Sequence, residues 1–221
     1  MKQRCSNGYL DNHLLRYLPI VFKNEEVNIY RIPRLCPPRS SSNFSLVVPS
    51  YMLNSISDPS ILTAKVSRTV IFSDNFTGYE EGSDGTPTWD PLDGTWNVVN
   101  NSYIGIKEGW GTSISMISTS NWSDFSVQTR FTIIAGTYAG FVLRYVNSSD
   151  FYRLLVSKSG DHFDLYKICN GQKEVISHSQ SQPLGDDWNT LRADMIGNNF
   201  NFYLNGKLVS SITDGQFSAG K

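Results

Sequence analysis

The chain has 221 residues, with 19 Lys/Arg against 20 Asp/Glu and a formal charge of −1. That balance argues against a broad basic face for nucleic acid, and 13% aromatic with 18% charged residues favours a packed globular protein over a disordered one. No apolar run approaches the roughly 18–20 residues of a membrane helix, and no GxGxxG or GxxxxGKS/T phosphate-binding motif occurs.

In chain order, composition shifts near residue 70. Residues 1–69 carry nine Lys/Arg against four Asp/Glu, residues 70–221 ten against sixteen. Sixteen of 17 glycines and all five tryptophans follow residue 69, whereas six of nine prolines precede residue 60. The expected organisation is therefore an N-terminal extension or linker over 1–69 and a folded unit over 70–221. Within the extension, the short apolar runs Leu14 to Phe22 and Ser45 to Pro49 are cut by Pro19, Pro33, Pro37, Pro38 and Pro49. Proline removes a donor and fixes φ, so low order is expected there. Arg39-Ser40-Ser41-Ser42-Asn43 reads as linker. Met1 to Arg4 supplies the basic start of a signal peptide, but Asn7, Asp11, Asn12 and His13 interrupt its apolar part. Cys5 and Cys36 are as compatible with a bridge as with free thiols, and Cys169 is left over.

The second part has a period of two. Phe125 to Ile134, Gly140 to Val146, Phe151 to Val156, His162 to Ile168, Leu191 to Ile196, Phe200 to Leu204 and Leu208 to Ile212 are short runs rich in Val, Ile, Phe, Tyr and Thr. Turn clusters separate them, and Asn170-Gly171 and Asn205-Gly206 are the residue pair that type I′ hairpins prefer. Strands spaced every 8–12 residues without a helical period predict an antiparallel sandwich or barrel. Asp93-Gly94 before Trp96 predicts a tight turn delivering an aromatic anchor to the core, and Leu191, Ala193 and Met195 form an inward stripe.

From about Val70 onward the chain resembles the concanavalin A-like (laminin G-like) jelly-roll superfamily, nearest the 3-keto-disaccharide hydrolase and glucanase-like domains. The residues that carry the resemblance are Phe72-Ser73-Asp74-Asn75-Phe76, Asp93-Gly94-Thr95-Trp96, Gly140-Phe141-Val142-Leu143-Arg144, Asp150-Phe151-Tyr152, Trp188-Asn189-Thr190-Leu191-Arg192 and Asn205-Gly206-Lys207-Leu208-Val209. The resemblance implies an all-β antiparallel jelly-roll β-sandwich and an extracellular or cell-surface setting. It also implies a closing strand after Asp214, Phe217 and Gly220 that pairs beside the first strand, Thr69 to Phe76. The chain stops at Lys221. A fragment of a longer protein, C-terminally truncated, with other domains of the parent chain as partners, is therefore expected. The first strand would be left with a bare edge unless Ser45 to Val48 or Ile61 to Val66 fills it.

Function does not transfer with this fold. Glycosidases need two carboxylates facing one another across the bond. Glucanases of this superfamily carry them as Glu-x-Asp-x-(x)-Glu, which is missing here; Glu80-Glu81 and Asp186-Asp187 read as solvated loop charge. His13, His162 and His178 offer no metal-ligand spacing such as HExxH, and His162 reads as a polar residue at a hairpin tip. Sugar recognition remains, because aromatic platforms with charged side chains suit saccharides. Its candidate residues are Trp110, flanked by Gly109 and Gly111, with Tyr138, Arg144 and Tyr152. If Phe141, Leu143 and Tyr145 face the core, alternation sends Arg144 to the open face; otherwise Arg144 is an ordinary outward charge and Tyr152 a packed aromatic. The resemblance also nominates Asp74 for a structural calcium, against the simpler account of a turn-capping carboxylate. The reading is a non-catalytic, lectin-like carbohydrate-binding module. A hydrolase acting on (3-keto-)disaccharides or polysaccharide and a structural adhesion module are the alternatives.

Overall fold

Residues 20–31, 69–109, 111–118 and 121–221 are described by a computed structural model. Among them lie fourteen strands and no helix. In chain order these are β1 (Ile20–Arg31), β2 (Thr69–Asp74), β3 (Trp89–Asp93), β4 (Thr95–Val98), β5 (Tyr103–Lys107), β6 (Ile114–Ile117) and β7 (Phe125–Ala135). They continue with β8 (Tyr138–Asn147), β9 (Asp150–Ser157), β10 (Phe163–Cys169), β11 (Gln172–Ser179), β12 (Asn189–Ile196), β13 (Asn199–Leu204) and β14 (Lys207–Thr213). Every ladder is antiparallel. The fold is thus the all-β sandwich expected.

The larger sheet runs β14-β13-β12-β7-β1-β5-β4, with β2 also on β1; the second runs β11-β10-β9-β8, and β3 pairs with β6. Alternation along the strands puts Val27, Ile29, Val127, Phe131, Leu191, Ala193, Met195, Phe200 and Phe202 of the large sheet into one core. Tyr152, Leu154, Val156, Phe163 and Leu165 enter it from the four-stranded sheet. Tyr152 meets Phe200 edge-to-face, with ring centroids 5.1 Å apart, so the two inner faces are in direct contact.

The turns behave as their residues require. Asn170 and Gly171 take φ of 51° and 75°, Asn205 and Gly206 50° and 79°, the double positive φ of a type I′ turn. Gly94, at φ 77°, separates β3 from β4 and delivers Trp96 to the core. There the indole stacks on Tyr103 with centroids 4.7 Å apart, and its N–H donates to the Asp93 carbonyl.

One part of the N-terminal expectation is corrected. Residues 20–31 are not loose extension but a strand bonded on both edges. Along one edge β1 pairs with β7; along the other, Ile20–Asn24 pairs with β5 and Val27–Arg31 with β2. The edge of β2 expected to be bare is therefore covered, by a segment other than the two nominated, which lie outside the described residues, as do Cys5 and Cys36. The physical reason is plain in hindsight: Pro19 and Pro33 bracket this strand rather than interrupt it.

Ile29 is 3% exposed in the core, whereas Val70 on the neighbouring β2 is 52% exposed. Ile29→Asp is expected to destabilise the protein by more than about 3 kcal/mol, and Val70→Asp to stay within about 0.5 kcal/mol of the wild type. Urea unfolding of the two variants checks this, and equal midpoints would remove β1 from the core.

Candidate functional site

The outer face of the four-stranded sheet collects the residue types that the sequence reading sought elsewhere. Because side chains alternate, the residues between the inward Ala139, Leu143, Tyr152, Leu154, Phe163 and Leu165 face outward. Strand register sets them in two rows. Val142 lies opposite Arg153, which lies opposite Tyr166, which lies opposite Val175. Beside that row run Gly140, Leu155, Asp164 and His178. Gly140 cannot be replaced there, since a Cβ would fall 1.8 Å from the Leu154 carbonyl oxygen.

Tyr166 is the centre of the first row. The Arg153 guanidinium lies 5.5 Å and the Lys173 ammonium 3.8 Å from its ring centroid, both in cation–π range. Its hydroxyl donates to Asp164 Oδ2 at 2.9 Å. Burial and the Asp164 carboxylate push the phenol up to about 12, so it stays a neutral donor at ordinary pH. Burial also lowers Arg153, whose Nε has no hydrogen-bond partner among the described residues.

Asp164 organises the second row. It accepts from His178 Nδ1 at 2.5 Å, His162 Nδ1 at 3.1 Å and the Tyr166 hydroxyl. Burial by itself would raise this carboxyl; the bonds from His178, Tyr166 and His162 outweigh it and hold the group below the usual carboxylate range. An ionised carboxylate only accepts, so both imidazoles carry their proton on Nδ1. Tyr138, 37% exposed, meets the His162 ring edge-on with centroids 6.1 Å apart. Burial, then Asp161 and Asp164, raise its hydroxyl.

Among the described residues nominated from sequence, Tyr138 alone stands on this face. Trp110 lies outside the described residues. Arg144 does not reach the open face: it is fully buried. Phe141 and Leu143 do pack against or within the core, but Arg144 takes φ of 48° where the β8–β9 register shifts, and the left-handed residue breaks the alternation. Its guanidinium donates to the carbonyls of Phe217, Ser123 and Gly197 at 2.7–2.8 Å and lies 5.0 Å from the Phe200 ring centroid. Gly220 makes this packing possible, since a Cβ there would come within 2.4 Å of the Arg144 carbonyl carbon.

Tyr152 is also fully buried, the packed aromatic of the alternative account. Its hydroxyl donates to Asp214, and Phe217 N–H donates back to it at 3.3 Å. Asp74 takes the capping role. Phe76 N–H donates to Oδ1 at 2.8 Å, and Tyr79 hydroxyl and Trp89 Nε1 donate to Oδ2 at 2.5 and 2.8 Å. Both oxygens are thus engaged by donors from the following turn and from Trp89, as the turn-capping account expects.

The histidines came together unannounced. His162 immediately precedes β10, two residues before Asp164, and His178 lies opposite Asp164 across the β10–β11 ladder. The Asn170-Gly171 turn by itself would set Ser177 opposite Asp164; a register shift between Leu165 and Tyr166 brings His178 there instead, and the sequence carries no mark of it.

No protein-family model matches the chain, and no curated protein matches it. Among solved structures it is similar to a carbohydrate binding module, CBM66, from Bacillus subtilis. The similarity has a TM-score of 0.52 and 24% identity and covers 60% of this chain and 83% of that one. It shows a shared sandwich fold.

Two consequences concern the buried polar groups. Arg144→Met leaves three carbonyls without their donor and should cost at least about 3 kcal/mol, with Arg144→Lys recovering only part because an ammonium lacks the planar fork. Chemical denaturation measures both, and a full rescue by Lys would contradict the fork geometry. Asp214 accepts from Tyr152, from Gln216 N–H at 2.9 Å and from Lys167 at 3.0 Å. Burial opposes ionisation, but those partners win and lower the carboxyl. The group therefore adds stability above its unfolded value of about 3.9, and this is lost as pH falls through the lower folded value. Stability measured stepwise below pH 5 should fall less steeply in Asp214→Asn than in the wild type; parallel curves would sink this assignment.

Proposed function

We propose that this protein is a non-catalytic carbohydrate-binding module that receives its sugar on the outer face of the four-stranded sheet. The observation that carries the reading is Tyr166 with the Arg153 and Lys173 cations beside its ring, and Tyr138, Asp164 and two imidazoles on the same surface. A sugar ring offers an apolar C–H face to an aromatic ring and hydroxyls to flanking charges, and this face supplies both. The likeness to a module whose title describes carbohydrate binding supports the same reading. So do the two facing antiparallel sheets for a placement in the concanavalin A-like superfamily. An extracellular or cell-surface setting, where polysaccharides are met, goes with it.

Binding is favoured over hydrolysis by the state of the acids. A glycosidase keeps one carboxyl protonated by raising it. Asp161 and Asp164, the carboxyls beside this face, are both lowered: Asp161 chiefly by hydrogen bonds from Ser157 and Ser159, Asp164 by its imidazole and phenol partners against the effect of burial.

Affinity electrophoresis against a panel of neutral and acidic polysaccharides tests the proposal. At least one should retard the wild type, and Tyr166→Ala and Arg153→Ala should each weaken that retardation about tenfold or more, about 1.4 kcal/mol. Retardation lost in Trp110→Ala but kept in Tyr166→Ala would assign the sugar to Trp110 and overturn the placement at Tyr166. No retardation by any polysaccharide would remove the function.

A further inference from the structure

We propose that His162, Asp164 and His178 form a binding site for one divalent transition-metal ion of the zinc, nickel or copper class. The inference does not depend on the carbohydrate reading, although its three ligands stand on the same face of the sheet.

The ligand atoms are already gathered. One atom from each of the three residues lies within 4.8 Å of the others. Ligands about 2.0–2.2 Å from a common tetrahedral ion stand roughly 3.3 Å apart. The two Asp164–imidazole distances of 2.5 and 3.1 Å both fall short of that spacing, so each ring has to swing outward by a χ adjustment to admit the ion. They have the freedom for it: the His162 and His178 side chains are 42% and 54% exposed. Asp164, by contrast, is fixed, with a side chain only 7% exposed. Its orientation is set by the Tyr166 hydroxyl on Oδ2, an outer partner of the kind that holds metal-binding carboxylates.

The sheet supplies the rigidity. His162 and Asp164 share a face by the two-residue period, and His178 is the direct cross-strand partner of Asp164. Coordination through Nδ1 requires each neutral imidazole to move its proton to Nε2. At His162 that nitrogen already faces a carboxylate, Asp161 Oδ2, at 3.9 Å, which is placed to take the N–H as carboxylates behind metal-bound histidines do. Two imidazoles and one carboxylate suit borderline transition metals, whereas calcium and magnesium demand oxygen ligands throughout. Three protein ligands leave at least one coordination position open to water or to an oxygen donor arriving from solvent.

The test is calorimetric titration of the tag-free full chain with zinc chloride, alongside the visible spectrum of the cobalt(II)-loaded protein. One equivalent of zinc should bind, with cobalt giving the ligand-field bands of a low-coordinate nitrogen–oxygen site. His178→Gln should weaken binding about tenfold or more, and His162→Ala with His178→Ala should abolish it, with circular dichroism of the zinc-free double variant showing the β-sheet signature of the wild type. An absence of zinc binding overturns the proposal. So does a double variant that binds as tightly as the wild type, which would assign the metal to other residues such as the cysteines.

Discussion

A strand in the interior of a sheet has to satisfy its hydrogen-bonding groups along both edges at once, and in this molecule β1 is the strand on which that requirement falls most heavily. One of its edges is shared between β5 and β2, and the other is taken up by β7. Without it, the β4–β5 pair and β2 would have no ladder to the β7–β12–β13–β14 half of the sheet. Val27 and Ile29 add side chains to the core at the seam so created. The inner face of the large sheet is the floor on which β8 to β11 pack. The outward rows on that smaller sheet therefore stand on a layer that β1 joins into one sheet.

The interior also holds polar anchors. Arg144 joins the carbonyls of Ser123, Gly197 and Phe217, three segments distant in sequence. Tyr152, Asp214 and Lys167 form a second chain of bonds between the four-stranded sheet and the segment following β14. A buried charge is tolerated only when its donors or acceptors are matched. These two clusters meet that condition with carbonyls and a lysine, and they bind the C-terminal residues to the sandwich: Gly220 bridges Trp122, and Lys221 exchanges backbone bonds with Tyr145.

The β-sandwich was legible because its strands are apolar at every second position and its turns are Asn-Gly. What escaped notice has physical causes. β1 carries Lys23-Asn24-Glu25-Glu26 at its middle, so it lacks an apolar stripe, and the flanking prolines look like breakers until their positions at its ends are known. β11, Gln172–Ser179, is an edge strand with few large apolar residues and a mostly exposed pattern. Tyr152 is the packed aromatic that one of the two sequence accounts expects, whereas Arg144 is buried where both accounts place it outside the core. A single residue at positive φ reverses the alternation for Arg144, and backbone conformation of that kind leaves no mark in a non-glycine sequence. The His162–Asp164–His178 group depends on cross-strand register, which spacing along the chain does not disclose.

The place of β1 in the sheet has a consequence for synthesis. It is made before every partner it has, and β7, its longest one, is complete only when Ala135 has left the ribosome. Chain growth therefore carries a two-sided strand with unmatched edges through most of the time the first half is being translated. Long-range pairing of this kind is slow and exposes sticky backbone to neighbours. A nascent chain of this protein has reason to need a holding chaperone, and crowded polysomes give its β1 the chance to close the sheet of an adjacent copy in place of its own.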